Sequence, residues 1–390
     1  MLKRMLTTLL VLTSIVETTL AIKITYGPYL QMITENEAVI VWTTDKKALS
    51  WVEIAPDDSF NFYAEQRPQY FETYLGRKVL NTVHKIKINK LEKGTTYRYR
   101  IYSQEVLDEQ DYQITYGPVT ASNVYSKAPL TFRTLNSDKE TINFMMVNDI
   151  HGDNVKLNNL LKDFKKGETD FVLFNGDMVS HMDNESQLFE GFINTSVKLF
   201  ASETPFYMVR GNHESRGVYA KQYLNYFPTP TGMPYYTFKE GPVFFIVMDG
   251  GEDKPDNDIE YLGTAAFDQY REEEAEWLRK VVESDDFKSS PFKVAVIHVP
   301  PVQDTWHGPL HTKKMFLPIL NNAKIDLMLC GHLHRHIYNP PHTDGADFPV
   351  LINSNSHVLK VNANTQKMNI RIEDEKGKTI KTFSYDTQKQ

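Results

Sequence analysis

Leu327-Met328-Leu329-Cys330-Gly331-His332-Leu333-His334 is an apolar run that stops abruptly in a glycine and two histidines. The run reads as a buried strand, and packing alone does not suit its ending. Two imidazoles one residue apart leave four ring nitrogens that need partners, and a metal ion fits them. The same pattern, an apolar strand delivering ligand-type side chains at its carboxyl end, occurs four more times upstream. Ile142 to Asn148 runs into Asp149-Ile150-His151, and Phe171 to Phe174 into Asn175-Gly176-Asp177. Phe206 to Val209 runs into Arg210-Gly211-Asn212-His213-Glu214, and Phe292 to Ile297 into His298. One such junction is noise; five in order, each supplying Asp, Asn or His, are a signal.

Between these junctions the pattern alternates between strand and helix. Val155 to Phe164 sets Leu157, Leu160 and Leu161 on one face, with Asp153 placed to cap it. Gln187 to Phe200 follows the second strand. Tyr235 to Phe238 and Val243 to Met248 read as a hairpin turning at Lys239-Glu240-Gly241. Ala265 to Glu283 reads as a long helix with Tyr270, Trp277, Leu278, Val281 and Val282 buried and the Glu272 to Glu274 run solvated. Beyond Pro341 come strands again, at Val350 to Ile352, Met368 to Ile372 and Thr379 to Phe383. Residues 140–390 therefore predict an α/β domain of two sheets face to face with helices outside, a four-layer αββα sandwich. Ligands at strand carboxyl ends gather along one edge of such a layout.

Upstream, residues 22–135 carry short strands and almost no helical periodicity. Ala38 to Thr44, His84 to Asn89 and Thr96 to Tyr102 are examples, with His84 a sheet residue and Trp42 a core candidate. This predicts a small all-β sandwich, and Leu91 to Tyr97 resembles the turn and tyrosine corner of fibronectin type III-like domains. Gln104 to Lys127, polar and aromatic together, reads as a long loop reaching across to the second domain, and residues 136–140 as a short linker.

A chain of 390 residues, 41% hydrophobic and 24% charged, suits two globular domains. Residues 1–21 read as a secretory signal: Lys3 and Arg4, an apolar Met5 to Val16, then Thr19-Leu20-Ala21. The apolar run is too short to span a bilayer, so no membrane insertion is expected after its removal, and the protein is expected to be secreted or periplasmic. The formal charge of −7 becomes −8 without that stretch, since Lys3, Arg4 and Glu17 sum to +1. An acidic surface argues against nucleic acid as a partner. Cys330 is the one cysteine, so no intrachain disulfide forms, and it reads as a small apolar strand residue. Neither a Gly-x-x-x-x-Gly-Lys-Ser/Thr phosphate loop nor a dinucleotide-binding glycine fingerprint occurs, which leaves kinase and dehydrogenase readings without support. Asn184 and Asn194 begin glycosylation-type triplets, a pattern too common to decide anything.

The inventory of Asp149, His151, Asp177, Asn212, His298, His332 and His334 fits borderline divalent ions such as Fe, Zn or Mn. One ion rarely takes seven protein ligands; two sharing a carboxylate use them well. Asp149, His151, Asp177 and His334 are assigned to one ion and Asp177, Asn212, His298 and His332 to the other, with Asp177 the bridge. Two divalent ions with two carboxylates and a bridging hydroxide leave a charge of about +1 facing the substrate, which favours an anionic ester. His213, beside Asn212, is expected to face the substrate as general acid or phosphoryl donor. Asn212 and His307 are the other candidate substrate contacts. His181 and His311 are weaker ones, and His336 and His357 weaker still.

GDMVS at Gly176, GNHE at Gly211, His298 after its strand and GHLH at Gly331, with Asp-x-His at Asp149, resemble the binuclear metallophosphoesterase superfamily. The all-β domain placed first, and Tyr235 to Asp249, look more like its purple acid phosphatase branch. That branch holds a ferric ion with a tyrosine three residues after the bridging aspartate, where this chain has Ser180, and it usually lacks a histidine where this chain has His151. The resemblance therefore implies a secreted phosphoric ester hydrolase, foremost a phosphomonoesterase acting on a small ester through a metal-bridging hydroxide. The exchange of phenolate for imidazole implies two divalent ions and no purple colour. A phosphodiesterase on the same site is the nearest rival. A surface binding module with an inactive second domain, and a metal-dependent nuclease, are the others.

Overall fold

The computed structural model describes residues 21–110, 112–123 and 126–387. The expected signal stretch, Ala21 apart, lies outside the described residues. Among the described residues, two six-stranded sheets form the larger part of the protein. The first runs Phe206–Val209, Phe171–Asn175, Thr141–Val147, His357–Asn364, Lys367–Asp374, Thr379–Asp386. Its first three strands are mutually parallel and the rest antiparallel. The second runs Tyr236–Glu240, Val243–Val247, Phe292–Val296, Leu327–Cys330, Val350–Ile352, Ile337–Asn339, parallel through its middle four.

Alternation along the strands decides which side chains meet. Phe144 and Phe171 of the first sheet meet Phe245 of the second edge-on, at 5.4 and 5.5 Å between centroids, and Phe238 stacks on Phe245 within the second sheet at 4.6 Å. The opposite faces take helices. Phe244, Ile246, Ala295, Met328 and Cys330 pack under Leu278 and Val282 and under Phe316, Leu317 and Leu320. Phe174 meets Phe192 and Phe200 on the other side. The expected four layers are therefore present, and Cys330 is buried among apolar side chains as read from the sequence.

Several elements differ from the sequence reading. His307–Ala323, which begins at a candidate substrate contact, is a 17-residue helix not anticipated from the sequence; Pro309 sits in its first turn, where the missing N–H costs nothing, and Pro318 sits inside it. The loop expected over Gln104 to Lys127 is mostly a hairpin, Thr96–Gln110 paired with Gln113–Ala121, whose two register shifts break the period-two signal. Glu274, read as solvated, is fully buried and accepts from the backbone N–H of Asp249 at 2.8 Å.

The amino-terminal part is all-β, as expected. Its long strand Ala38–Pro56 pairs through its first half with Ile24–Gln31 and Leu80–Ile88 and through its second half with Thr96–Gln110. Hydrogen bonding thus runs through one seven-stranded sheet among the described residues. Trp42 is buried and donates to Ser103 Oγ at 2.9 Å, and the Tyr97 hydroxyl accepts from Glu92 N at 2.9 Å. This sheet is locked to the larger part. Tyr29 donates to Tyr226 O (3.0 Å), Tyr99 to Ser202 O (2.7 Å), Tyr207 to Ile33 O (2.7 Å) and Gln31 to Phe206 O (3.2 Å). Tyr26 stacks on Phe189 at 4.2 Å, and one apolar core is continuous across the junction.

Candidate metal centre

Five of the seven expected ligands have left-handed backbone: φ is +53° at Asp149, +51° at His151, +54° at Asp177, +71° at His332 and +53° at His334. For residues with a Cβ that conformation costs roughly 1 kcal/mol or more each, and such strain collects where function demands it. The strand exits need room as well. A Cβ on Gly176 would stand 2.4 Å from the His298 ring, and one on Gly211 would stand 2.2 Å from Asp177 Oδ1, so both positions require glycine.

These turns bring the ligands together in three overlapping groups, each with donor atoms within 4.8 Å of one another: Asp149, His151 and His334; His151, Asp177 and His213; Asp177, His298 and His332. His298 Nε2 lies 3.0 Å from Asp177 Oδ2 and 3.8 Å from Asp149 Oδ1, and His334 Nε2 lies 3.1 Å from Asp149 Oδ1. His151 Nε2 and His334 Nε2 face each other at 3.3 Å. Asp149 Oδ1, Asn212 Oδ1 and His298 Nε2 are buried without a hydrogen-bond partner, although two of them stand at ion-pair distance from another group. Buried donor atoms left over in a mixed oxygen and nitrogen set fit divalent cations.

The electrostatics agree. Burial pulls the His298 imidazole down, but Asp177 and Asp149 more than reverse it and raise it to about 10. Burial disfavours ionised Asp177, yet His298 and His213 hold its carboxyl below the usual range. The protein's own carboxylates thus attract positive charge here. Burial, then the neighbouring His298, lowers His332 to about 4, which leaves it neutral and able to ligate.

A second layer fixes these groups. Glu214 accepts from the backbone N–H of Asp177 (2.9 Å), Met178 (2.7 Å) and Gly211 (2.9 Å), tying Asp177 to the GNHE loop. Asp149 Oδ2 accepts from His332 N at 2.9 Å, and His298 Nδ1 donates to Asn175 O at 2.7 Å, which leaves its Nε2 free as a ligand. Arg210 pairs with buried Asp249 at 2.6 Å behind the loop, and Tyr270 donates to the same carboxylate at 2.6 Å. Ser180, at the departure from the purple pattern, is part of the site: its Oγ is 3.4 Å from His151 Nδ1, and its carbonyl accepts from His213 Nδ1 at 2.8 Å.

The other candidates divide. His181 reaches only the edge of the His213 ring, at 6.2 Å. His307 is not brought to the cluster: its Nε2 lies 2.8 and 2.9 Å from the two Asp268 oxygens, and His311 stacks behind it at 6.0 Å. His336 faces Ile352 O at 3.2 Å, and buried His84 contacts Thr44 at 2.8 Å as a sheet residue. The sequence reading missed Arg216, Glu252 and Asp253. Arg216 forks onto Glu252 at 2.8 and 2.6 Å, and Asp253 Oδ2 and Asp304 Oδ2 each approach His332 Nε2 to 3.8 Å. The signal was there, since Val243–Val247 is a further apolar strand that runs into acidic residues.

Residues 142–336, half of the chain, match the calcineurin-like phosphoesterase family. In sequence the chain is similar to purple acid phosphatase 22 of Arabidopsis thaliana, 23% identical over 275 residues that cover 66% of this chain and 55% of that protein. It is likewise similar to probable purple acid phosphatase 20 of the same plant, 24% identical over 253 residues, 57% of this chain and 54% of that one. The chain spans about half the length of the curated relatives it matches. Among solved structures it is similar to GAP50, the anchor in the inner membrane complex of Plasmodium, with TM-score 0.45 and 13% identity over 64% of this chain and 90% of that one. It is also similar to Yfce, a phosphoesterase from E. coli, with TM-score 0.31 and 12% identity over 62% and 98%.

Proposed function

The chain belongs to the calcineurin-like phosphoesterase family, and from that premise we propose that it is a secreted phosphomonoesterase acting on small phosphate esters with two divalent ions, Fe, Zn or Mn. The observation that carries this reading is the set of three buried donor atoms, Asp149 Oδ1, Asn212 Oδ1 and His298 Nε2, left without a hydrogen-bond partner among the strand-end ligands. Asp149, His151, Asp177 and His334 would hold one ion and Asp177, Asn212, His298 and His332 the other. Bound there, the ions supply Lewis-acid charge and acidify water toward neutrality.

The remaining work falls to the chain. His213 donates from Nδ1 to Ser180 O, which orients the ring and leaves Nε2 as the working nitrogen, 3.8 Å from Asp177 Oδ2. Protonated at Nε2, it hands a proton to the departing ester oxygen as general acid. The Asn212 amide nitrogen is left to donate to a phosphoryl oxygen. Export rests on Lys3, Arg4 and the apolar Met5 to Val16; a secreted product whose mass begins at Ile22 is the check.

The test is metal analysis of the purified protein, with turnover of p-nitrophenyl phosphate and bis(p-nitrophenyl) phosphate before and after chelation. Two equivalents of divalent metal, preference for the monoester and chelation-sensitive activity are expected. Preference for the bis-ester would replace this reading with a phosphodiesterase, and turnover undiminished by exhaustive chelation would end it.

A further inference from the structure

Arg216 stands beside His213 and has no part in the reading above. A guanidinium has five N–H donors in a planar fork. Nε donates to Glu252 Oε2 at 2.8 Å, and Nη2 donates to Glu252 Oε1 at 2.6 Å and Asp253 Oδ1 at 3.1 Å. Nη1 lies 3.3 Å from His213 Nε2 and donates to it only while that nitrogen is unprotonated; once His213 carries the general-acid proton, neither Nη1 hydrogen is used there. The other N–H of Nη1 has no protein acceptor among the described residues. It sits next to an imidazole nitrogen that is itself 3.8 Å from the shared ligand Asp177.

The fork is held still. Glu252 is fully buried and accepts from the Tyr261 hydroxyl as well. The helix His307–Ala323 begins on top of it: Gly308 N donates to Asp253 O at 2.8 Å, and a Cβ on Gly308 would stand 2.5 Å from Glu252 O. Arg216 nonetheless keeps 14% of its side-chain surface exposed. The clamp thus grips the Nε and Nη2 edge and presents Nη1.

We propose that Arg216 is a substrate-binding residue whose Nη1 donates to the non-bridging oxygen that a phosphate monoester has and a diester lacks. A monoester dianion carries three non-bridging oxygens. A diester carries two, and its remaining position is an alkoxy oxygen with carbon attached. A fixed, charged donor at that position is satisfied by the first and left unpaired, or obstructed, by the second. The inference rests on the phosphatase reading and deepens it: Arg216 gives a site that could serve either ester its preference for the monoester.

The experiment compares wild type, Arg216→Met and Arg216→Lys, metal-loaded and checked for metal content and thermal midpoint. It reads kcat/KM on p-nitrophenyl phosphate and its bis-ester, and inorganic phosphate binding by calorimetry. Arg216→Met should lose roughly 10- to 100-fold in kcat/KM on the monoester and a similar factor in phosphate affinity, the worth of a charge-assisted hydrogen bond, with bis-ester turnover changed far less. Arg216→Lys, which keeps the charge without the fork, should fall between the two, and it serves as the working comparison should Arg216→Met fail to fold. Equal losses on both esters would reduce Arg216 to a brace for the loop, and unchanged phosphate affinity would overturn the proposal. A wild-type protein that turns over neither ester would sink the phosphatase reading instead.

Discussion

At the scale of single residues, Asp177 carries the most. Its Oδ1 accepts from His213 N at 3.0 Å, and its Oδ2 lies 3.0 Å from His298 Nε2. Asp177→Asn removes the charge without the volume, so metal content measured by mass spectrometry should drop below two equivalents and turnover should nearly vanish. His213→Ala should keep its metal, and its loss should be larger on phenyl phosphate than on p-nitrophenyl phosphate, because a poor leaving group needs the proton more. Equal losses on the two esters would contradict the general-acid role. With Ser180 in place of a phenolate, the as-isolated protein should show no strong visible charge-transfer band, which an absorbance scan decides. The clustered Asp and His residues were legible because each ends an apolar strand, so type and position were readable together. Arg216 was not, since Glu252 and Asp253 lie 36 and 37 residues away and only the fold makes them neighbours.

At the scale of elements, the Phe206–Val209 strand and the loop after it depend on a buried brace. Burial opposes the Arg210 charge, and Asp249 and Tyr270 hold it well above the usual range. Arg210→Met removes the cation paired with the buried Asp249 carboxyl, and urea unfolding should show a loss of about 3–5 kcal/mol. A loss under about 1 kcal/mol would mean that water reaches Asp249. The strands were legible from their apolar runs. The helix His307–Ala323 was obscured by two prolines and an opening rich in histidine and glycine, although Phe316, Leu317 and Leu320 carry its buried stripe. The long hairpin was hidden by its bulges and by Gly117-Pro118.

At the scale of the molecule, the two parts share one core, so they should unfold in one transition. A chain beginning at residue 140 would bare Tyr207, Phe189 and Phe206 and should be recovered aggregated or with ANS-binding surface; a soluble, cooperatively folding fragment would show that the junction is dispensable. Acid stability follows from a residue far from the metals. Burial lowers the His84 imidazole to about 3, against about 6.5 unfolded, so as pH falls the unfolded chain takes the proton first. Its contribution is whole above about pH 6.5 and is lost as pH drops toward 3, amounting to about 2 kcal/mol by pH 5. Urea midpoints at pH 7 and 5 should therefore differ less in His84→Gln than in wild type. The junction also sets how load travels. Gln31 and Tyr29, on the first strand, hold Phe206 and Tyr226 on either side of the segment that presents Asn212 and His213. Fixing the protein to a bead by its amino end would pull on that segment, whereas a carboxyl-end tether would draw on Thr379–Asp386, at the opposite margin of the same sheet.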